Sequence, residues 1–146
     1  MTDVLRVLLP TDASSSSLAA VRHVVAMAGR GLAVEVHLLN VQAPLRGSAT
    51  TLIAQSDRDA YHRDEGMKVL AGAQQLLEQA SLPAHLHVGV GDPGETVLAF
   101  ARRLGCQHIV MGTRGLGRVA EMILGSVAHH VAAHSDTPVT LVHATA

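Results

Sequence analysis

The chain has 146 residues, 48% of them hydrophobic but only 1% aromatic, with a formal net charge of −1. That length supports a core without staples, and the core must be aliphatic, since Tyr61 and Phe100 are its only aromatic rings. Near-neutral charge and scarce rings exclude a general electrostatic footprint for DNA or RNA and a base-stacking platform, and the lone Cys106 excludes an intramolecular disulfide or a multi-cysteine metal site.

Residues 4–9 form a nearly continuous apolar run, the pattern of a strand buried on both faces of a parallel sheet. Ser14 to Ser17 then precede Leu18, Ala19, Val21, Val24, Val25 and Ala28, spaced for a helix with a wide apolar face that Gly29 and Gly31 end. Residues 33–41 read as a second strand and 44–51 as a loop. A longer helix over 54–80 is carried on Met67, Leu70, Ala73, Leu76 and Leu77. Residues 84–90 form the third strand. A helix over 94–104 is entered through Asp92 as N-cap and Pro93 as first helical residue. The fourth strand is 107–111, the fourth helix 126–134 and the last strand 138–142. This alternation implies right-handed crossovers and one α/β domain over residues 1–146: a parallel sheet with helices on both faces.

Between the fourth strand and fourth helix lies Met111-Gly112-Thr113-Arg114-Gly115, then Gly125-Ser126-Val127, in the pattern G-x2-G-x9-G-S. Phosphate groups need backbone N–H donors at close range, and glycine removes the β-carbon that blocks them. Ser126 is placed to cap the following helix, whose N-terminus favours anions. A short loop would join strand to helix more simply, so the thirteen residues from Thr113 to Gly125 need a reason. The bland alternative is a glycine-rich connection with an ordinary serine cap. Lys68 is the only lysine and no Gly-Lys-Ser/Thr ending occurs, so a Walker-type loop is excluded. Any phosphate here must be met by arginine, main-chain amides or a metal ion. Arg114, between the two glycines, ranks ahead of Arg118.

With Val7-Leu8-Leu9-Pro10-Thr11-Asp12, Ser14, Ser17, Val88 to Pro93 and Pro138 to Val142, this pattern resembles the universal stress protein family, in its ATP-binding branch, over nearly the whole chain. The resemblance implies a doubly wound five-stranded parallel sheet of order 3-2-1-4-5. Strands one and four then flank the crevice where ligands sit in such folds. Pro10, Thr11 and Asp12 leave the first strand there, and Met111, Gly112, Arg114 and Gly115 leave the fourth. The resemblance implies ATP as ligand: Asp12 toward the ribose or adenine, the backbone of Val41 at the adenine edge, and Gly112, Gly115, Gly125, Ser126 and Val127 around the phosphates. The bland alternative for Asp12 is a cap or turn former before the first helix, with the nucleotide contact favoured, and Val41 taken alone is a strand valine. Mg²⁺ bridging the phosphates follows from ATP chemistry. Ala128 departs from the family pattern, which places a hydroxyl there. The family also implies a homodimer through the apolar last strand, Pro138 to Val142, because an unpaired apolar edge invites association.

Other motifs read blandly. Gly89-Val90-Gly91-Asp92-Pro93-Gly94 matches G-x-G-x-x-G, yet the ribose-binding acidic residue about 20 positions later is missing and Asp92-Pro93 explains the turn. His130-x3-His134 lacks the glutamate of a zincin. His85 and His87 share a strand face with no carboxylate or cysteine spaced as a third ligand, so no metal site is assigned. His129 and His130 follow the phosphate loop, where their titration would modulate binding. Cys106 reads as a small buried residue. The expected function is an ATP-binding stress-response or signalling protein whose nucleotide occupancy tunes conformation or partner binding. The competing reading is a slow ATPase or nucleotidyl- or phosphoryl-transfer enzyme, for which only Asp12, Glu121, Arg114 and Arg118 are candidates. A nucleotide-free interaction module and a flavin binder rank below both. A cytoplasmic location is expected, because no targeting segment opens the chain and no apolar run approaches spanning length.

Overall fold

The computed structural model describes residues 3–47, 52–114 and 124–144. Strands β1 (Leu5–Pro10), β2 (Val34–Gln42), β3 (Ala84–Val90), β4 (His108–Gly112) and β5 (Val139–Val142) alternate with helices α1 (Ser15–Gly29), α2 (Gln55–Gln79), α3 (Pro93–Leu104) and α4 (Ser126–His134). The sheet has order β3-β2-β1-β4-β5, as the family resemblance implied, and every neighbouring pair is parallel, as the alternation of elements predicted.

Alternation along each strand builds two aliphatic cores. Val7, Leu9, Val36, Leu38 and Val110 point to one face, against Val21, Val24, Leu70, Ala73 and Leu77 of α1 and α2. Leu8, Leu39, Ile109 and Met111 point to the other, against Val97, Leu98, Ala101 and Val131 of α3 and α4. Each fully buried leucine or valine contributes about 1.5–3 kcal/mol relative to exposure. On α2 the buried stripe is His62, Gly66, Leu70, Ala73 and Leu77, whereas Met67, expected inside, is exposed. Gly66 takes the inward position because Val88 of β3 lies where its Cβ would be.

Local chemistry sets the helix ends. Ser14 caps α1 by accepting from the Ser17 N–H, and Asp92 caps α3 by accepting from the Glu95 N–H, with Pro93 first inside the helix. Helix α1 closes on Gly31 at φ +100°, where Gly31 N–H donates to the Ala28 carbonyl and Leu32 N–H to that of Met27. Helix α2 closes in the same way, but with Ser81 at φ +58° in the left-handed position.

β1 runs one residue beyond its expected end, to Pro10. The odd-numbered amides of β1 face β2: Leu5 N–H donates to Ala33 and Thr11 N–H to Leu39. The amide position of Pro10 therefore faces β4, whose register with β1 covers only Val7 and Leu8. Proline removes no sheet bond there, and the two central strands part at that point.

Candidate functional site

The parting of β1 and β4 makes the crevice. Thr11, buried, accepts at its carbonyl from Asn40 Nδ2 at 2.9 Å, and its Oγ1 accepts from Ala13 N–H at 3.2 Å. Ala13 is left-handed at φ +66°, a conformation costly for a residue with a β-carbon. Asp12 sits beside it. Its Oδ1 accepts from Ser14 N–H at 3.0 Å and from Ser17 Oγ at 2.8 Å, so one carboxylate oxygen builds the turn into α1. Val41 lies at the carboxyl end of β2, its side chain against the α3–α4 core.

From the β4 side, Met111 turns its side chain into that same core at 5% exposure, so only its main chain can face the crevice. Gly112 has a packing reason to be glycine. A Cβ there would stand 2.6 Å from both the backbone carbon and the Oγ of Ser16, in the first turn of α1. The next residues are tied to α1 and β5. Thr113 N–H donates to the Val142 carbonyl at 3.0 Å, Ser16 Oγ donates to the same carbonyl at 3.1 Å, and Arg114 N–H reaches Ser16 Oγ at 3.4 Å. Gly125 N–H then donates to the Thr113 carbonyl at 2.6 Å, so the long connection leaves and returns at one point.

Helix α4 starts from that point without the serine cap expected of Ser126. Gly125 holds the N-cap conformation, φ −69° and ψ 161°, and its carbonyl takes the first helical bond from His129 N–H. Ser126 is already helical and exposed, so its hydroxyl cannot reach back, and no side chain at the cap occupies the first-turn amides. Ala128 is buried in the α3–α4 core, so the side chain at this position packs instead of facing the crevice. The structure thus brings Pro10 to Asp12, Met111 to Arg114 and Gly125 to Val127 around one end of the sheet. Gly115, Arg118 and Glu121 lie outside the described residues.

Sequence reasoning missed Asn40, Ser16 and Thr113, which hold the crevice together through contacts between distant segments. It also missed a second group, at the amino ends of β2 and β3. The register pairs His37 with His85, and Glu35, His37, His85 and His87 share the face toward α3. The carboxylate that spacing along β3 did not supply comes from the next strand. His37 Nε2 is 2.8 Å from Glu35 Oε1, and His37 Nδ1 is 2.9 Å from His87 Nε2. The His37 hydrogen bond, more than nearby Arg6, holds the Glu35 carboxyl below the usual range, while burial lowers His87. Cys106 is buried, which pushes its thiol up to about 11 and makes it a poor nucleophile.

The sequence profile of the Universal stress protein family matches residues 4–143. The chain is 35% identical over 80 residues to Universal stress protein YxiE of Bacillus subtilis, covering 55% of this chain and 54% of that one. It is 32% identical over 87 residues to Stress response protein NhaX of the same organism, covering 60% and 52%. These matches span about half the length of either relative. Universal stress protein MJ0531 of Methanocaldococcus jannaschii is 28% identical over 144 residues, covering 94% of this chain and 81% of that one.

Among solved structures, hypothetical protein MJ0577 superposes with a TM-score of 0.78 at 26% identity, covering 97% of both chains. A universal stress protein in complex with cAMP gives 0.66 at 24% identity, covering 97% and 98%. An Arabidopsis thaliana family protein with AMP bound gives 0.69 at 19%, covering 97% and 93%. The fold is thus the parallel α/β architecture with its crevice at the central strand ends. The chain belongs to the Universal stress protein family.

Proposed function

We propose that this chain binds ATP in the crevice between β1 and β4, and that occupancy tunes its conformation or partner binding in a stress-response or signalling role. One observation carries the reading: the connection after β4 is pinched at Thr113 and Gly125, and α4 begins at the crevice with no side-chain cap among the described residues. Main-chain amides of Ser126 and Val127, with the glycine-rich stretch from Gly112 through Gly115 to Gly125, would hold the phosphates, and Arg114 would pair with them. Asp12 and the main chain of Pro10, Thr11 and Val41 would meet the nucleoside. The donor set suits a phosphate ligand without a lysine, since Lys68 is paired with Glu65 on α2 at 3.1 Å. Mg²⁺ would be held through the phosphates.

Related folds with AMP and cAMP bound support the ligand class. Asp12 Oδ1 is committed to Ser14 and Ser17, which favours binding over catalysis. We place the protein in the cytoplasm; no helix among the described residues is long and apolar enough to cross a membrane. A homodimer through edge strand β5 is part of the same reading, checked by solution mass at micromolar concentration. Mass spectrometry of the small molecule that co-purifies tests the ligand. Adenine nucleotide is the expected result, and a Gly115→Ala, Gly125→Ala variant should lose it while remaining folded. A nucleotide-free protein that also fails to take up added ATP contradicts the reading.

A further inference from the structure

We propose that Glu35, His37 and His85 bind one borderline divalent transition-metal ion of the zinc class, at a site separate from the nucleotide crevice. One donor atom from each residue lies within 4.8 Å of the others, the only such grouping among the described residues. The three come from the amino ends of β2 and β3, brought together by the register that sets His37 beside His85. Val41, at the crevice end of β2, is six residues from Glu35, roughly 20 Å along the strand.

The chemistry of the donors suits such an ion. Two imidazoles and one carboxylate form the nitrogen–oxygen set that zinc accepts, with a fourth position left for water. His37 is the anchor: its side chain is 8% exposed and fixed at both ring nitrogens, by Glu35 at 2.8 Å and His87 at 2.9 Å. A neutral His37 donates its Nε2–H to Glu35 and accepts at Nδ1. A metal at Nε2 moves that proton to Nδ1, which then donates to His87 Nε2, while the proton that His87 Nε2 carried passes to its own Nδ1. His87 thereby becomes the outer partner that fixes a metal-bound imidazole. His85 stacks on His37 with ring centroids 4.7 Å apart. At 62% exposure it has room to rotate toward a shared ion, its Nε2 now 4.0 Å from Glu35 Oε1. The competitor is Arg6, whose Nε lies 3.7 Å from the same carboxylate oxygen and which is half exposed, so it can be displaced into water. The rival imidazole pair is not equivalent: His130 and His134 stack at 4.4 Å and His130 pairs with Glu95 at 2.7 Å, yet these three do not bring their donor atoms within the 4.8 Å that Glu35, His37 and His85 share.

The test is calorimetric titration of the full chain with Zn²⁺ at neutral pH, repeated with Co²⁺ and read by visible absorption. One equivalent should bind with micromolar affinity, and Glu35→Gln and His85→Ala should each weaken it by at least about tenfold, with His134→Ala unchanged. Both weakening substitutions are at surface-accessible positions, and circular dichroism checks that each variant is folded. A folded Glu35→Gln, His85→Ala double variant that binds Zn²⁺ as tightly as the parent overturns the proposal. So does the absence of saturable binding up to about 1 mM Zn²⁺. Nucleotide retention is measured on the same samples, and its loss or presence bears only on the crevice.

Discussion

Gly125 N–H donates to the carbonyl of Thr113 at 2.6 Å, while the amide of Thr113 itself donates to Val142. One residue thereby fastens the end of β4, the edge strand β5 and the start of α4. The position of the α4 amides follows from that knot, so a ligand held on them is also coupled to β5.

Gly112→Ala tests how tightly the knot is packed. The new Cβ meets the backbone of Ser16 at 2.6 Å, and backbone cannot rotate away. Urea unfolding should show a loss of about 1–3 kcal/mol. Nucleotide affinity should fall as well, since α1 and the post-β4 segment must move apart. Unchanged stability would show that this contact relaxes without cost.

Ser81→Gly should act in the opposite direction. Ser81 holds a left-handed conformation at the end of α2, a position that glycine occupies without steric cost. A gain of about 0.5–1 kcal/mol is expected, read as a rise in melting temperature with nucleotide binding unaltered. A lower melting temperature would mean that the serine contributes more than its backbone strain costs.

Stability should depend on pH at both ends of the range. Burial, with a smaller contribution from His23, lowers the folded pKa of His108 below 6.5, so the unfolded chain takes up a proton first as pH falls. Stability from this group is present above pH 6.5 and is lost on acidification. Cys106 works in reverse. Its thiol titrates near 11 when folded against 9.0 when free, so stability is intact below pH 9.0 and declines toward 11. His108→Gln should flatten the acid limb and Cys106→Ala the alkaline limb, measured as midpoint differences from the parent at each pH. A parent-like slope in either variant contradicts the assignment. The same burial predicts slow alkylation of Cys106 in the folded state and fast alkylation in urea.

What the sequence made legible was local. Asp92-Pro93 announced the start of α3 because capping depends on neighbours within one turn, and the apolar runs announced five parallel strands. The crevice followed from the strand order that the family resemblance implied. Ser126 was misread because a serine beside a glycine looks like the cap, while backbone conformation gave that position to Gly125. The packing reason for glycine at position 112 was hidden because sequence cannot show that Ser16 lies against it. Asn40 under Thr11, and Glu35 beside His37 and His85, were invisible for one common reason. Each depends on the register between strands, which no local pattern specifies.

On the proposed function, main-chain donors at the start of α4 grip a nucleotide without a lysine, and calorimetric titration of the full chain with MgATP measures that grip. Saturable one-to-one binding is expected, weakened by Gly125→Ala, a substitution whose backbone angles alanine adopts readily. Folded protein that shows no heat and retains no nucleotide at millimolar MgATP would contradict it.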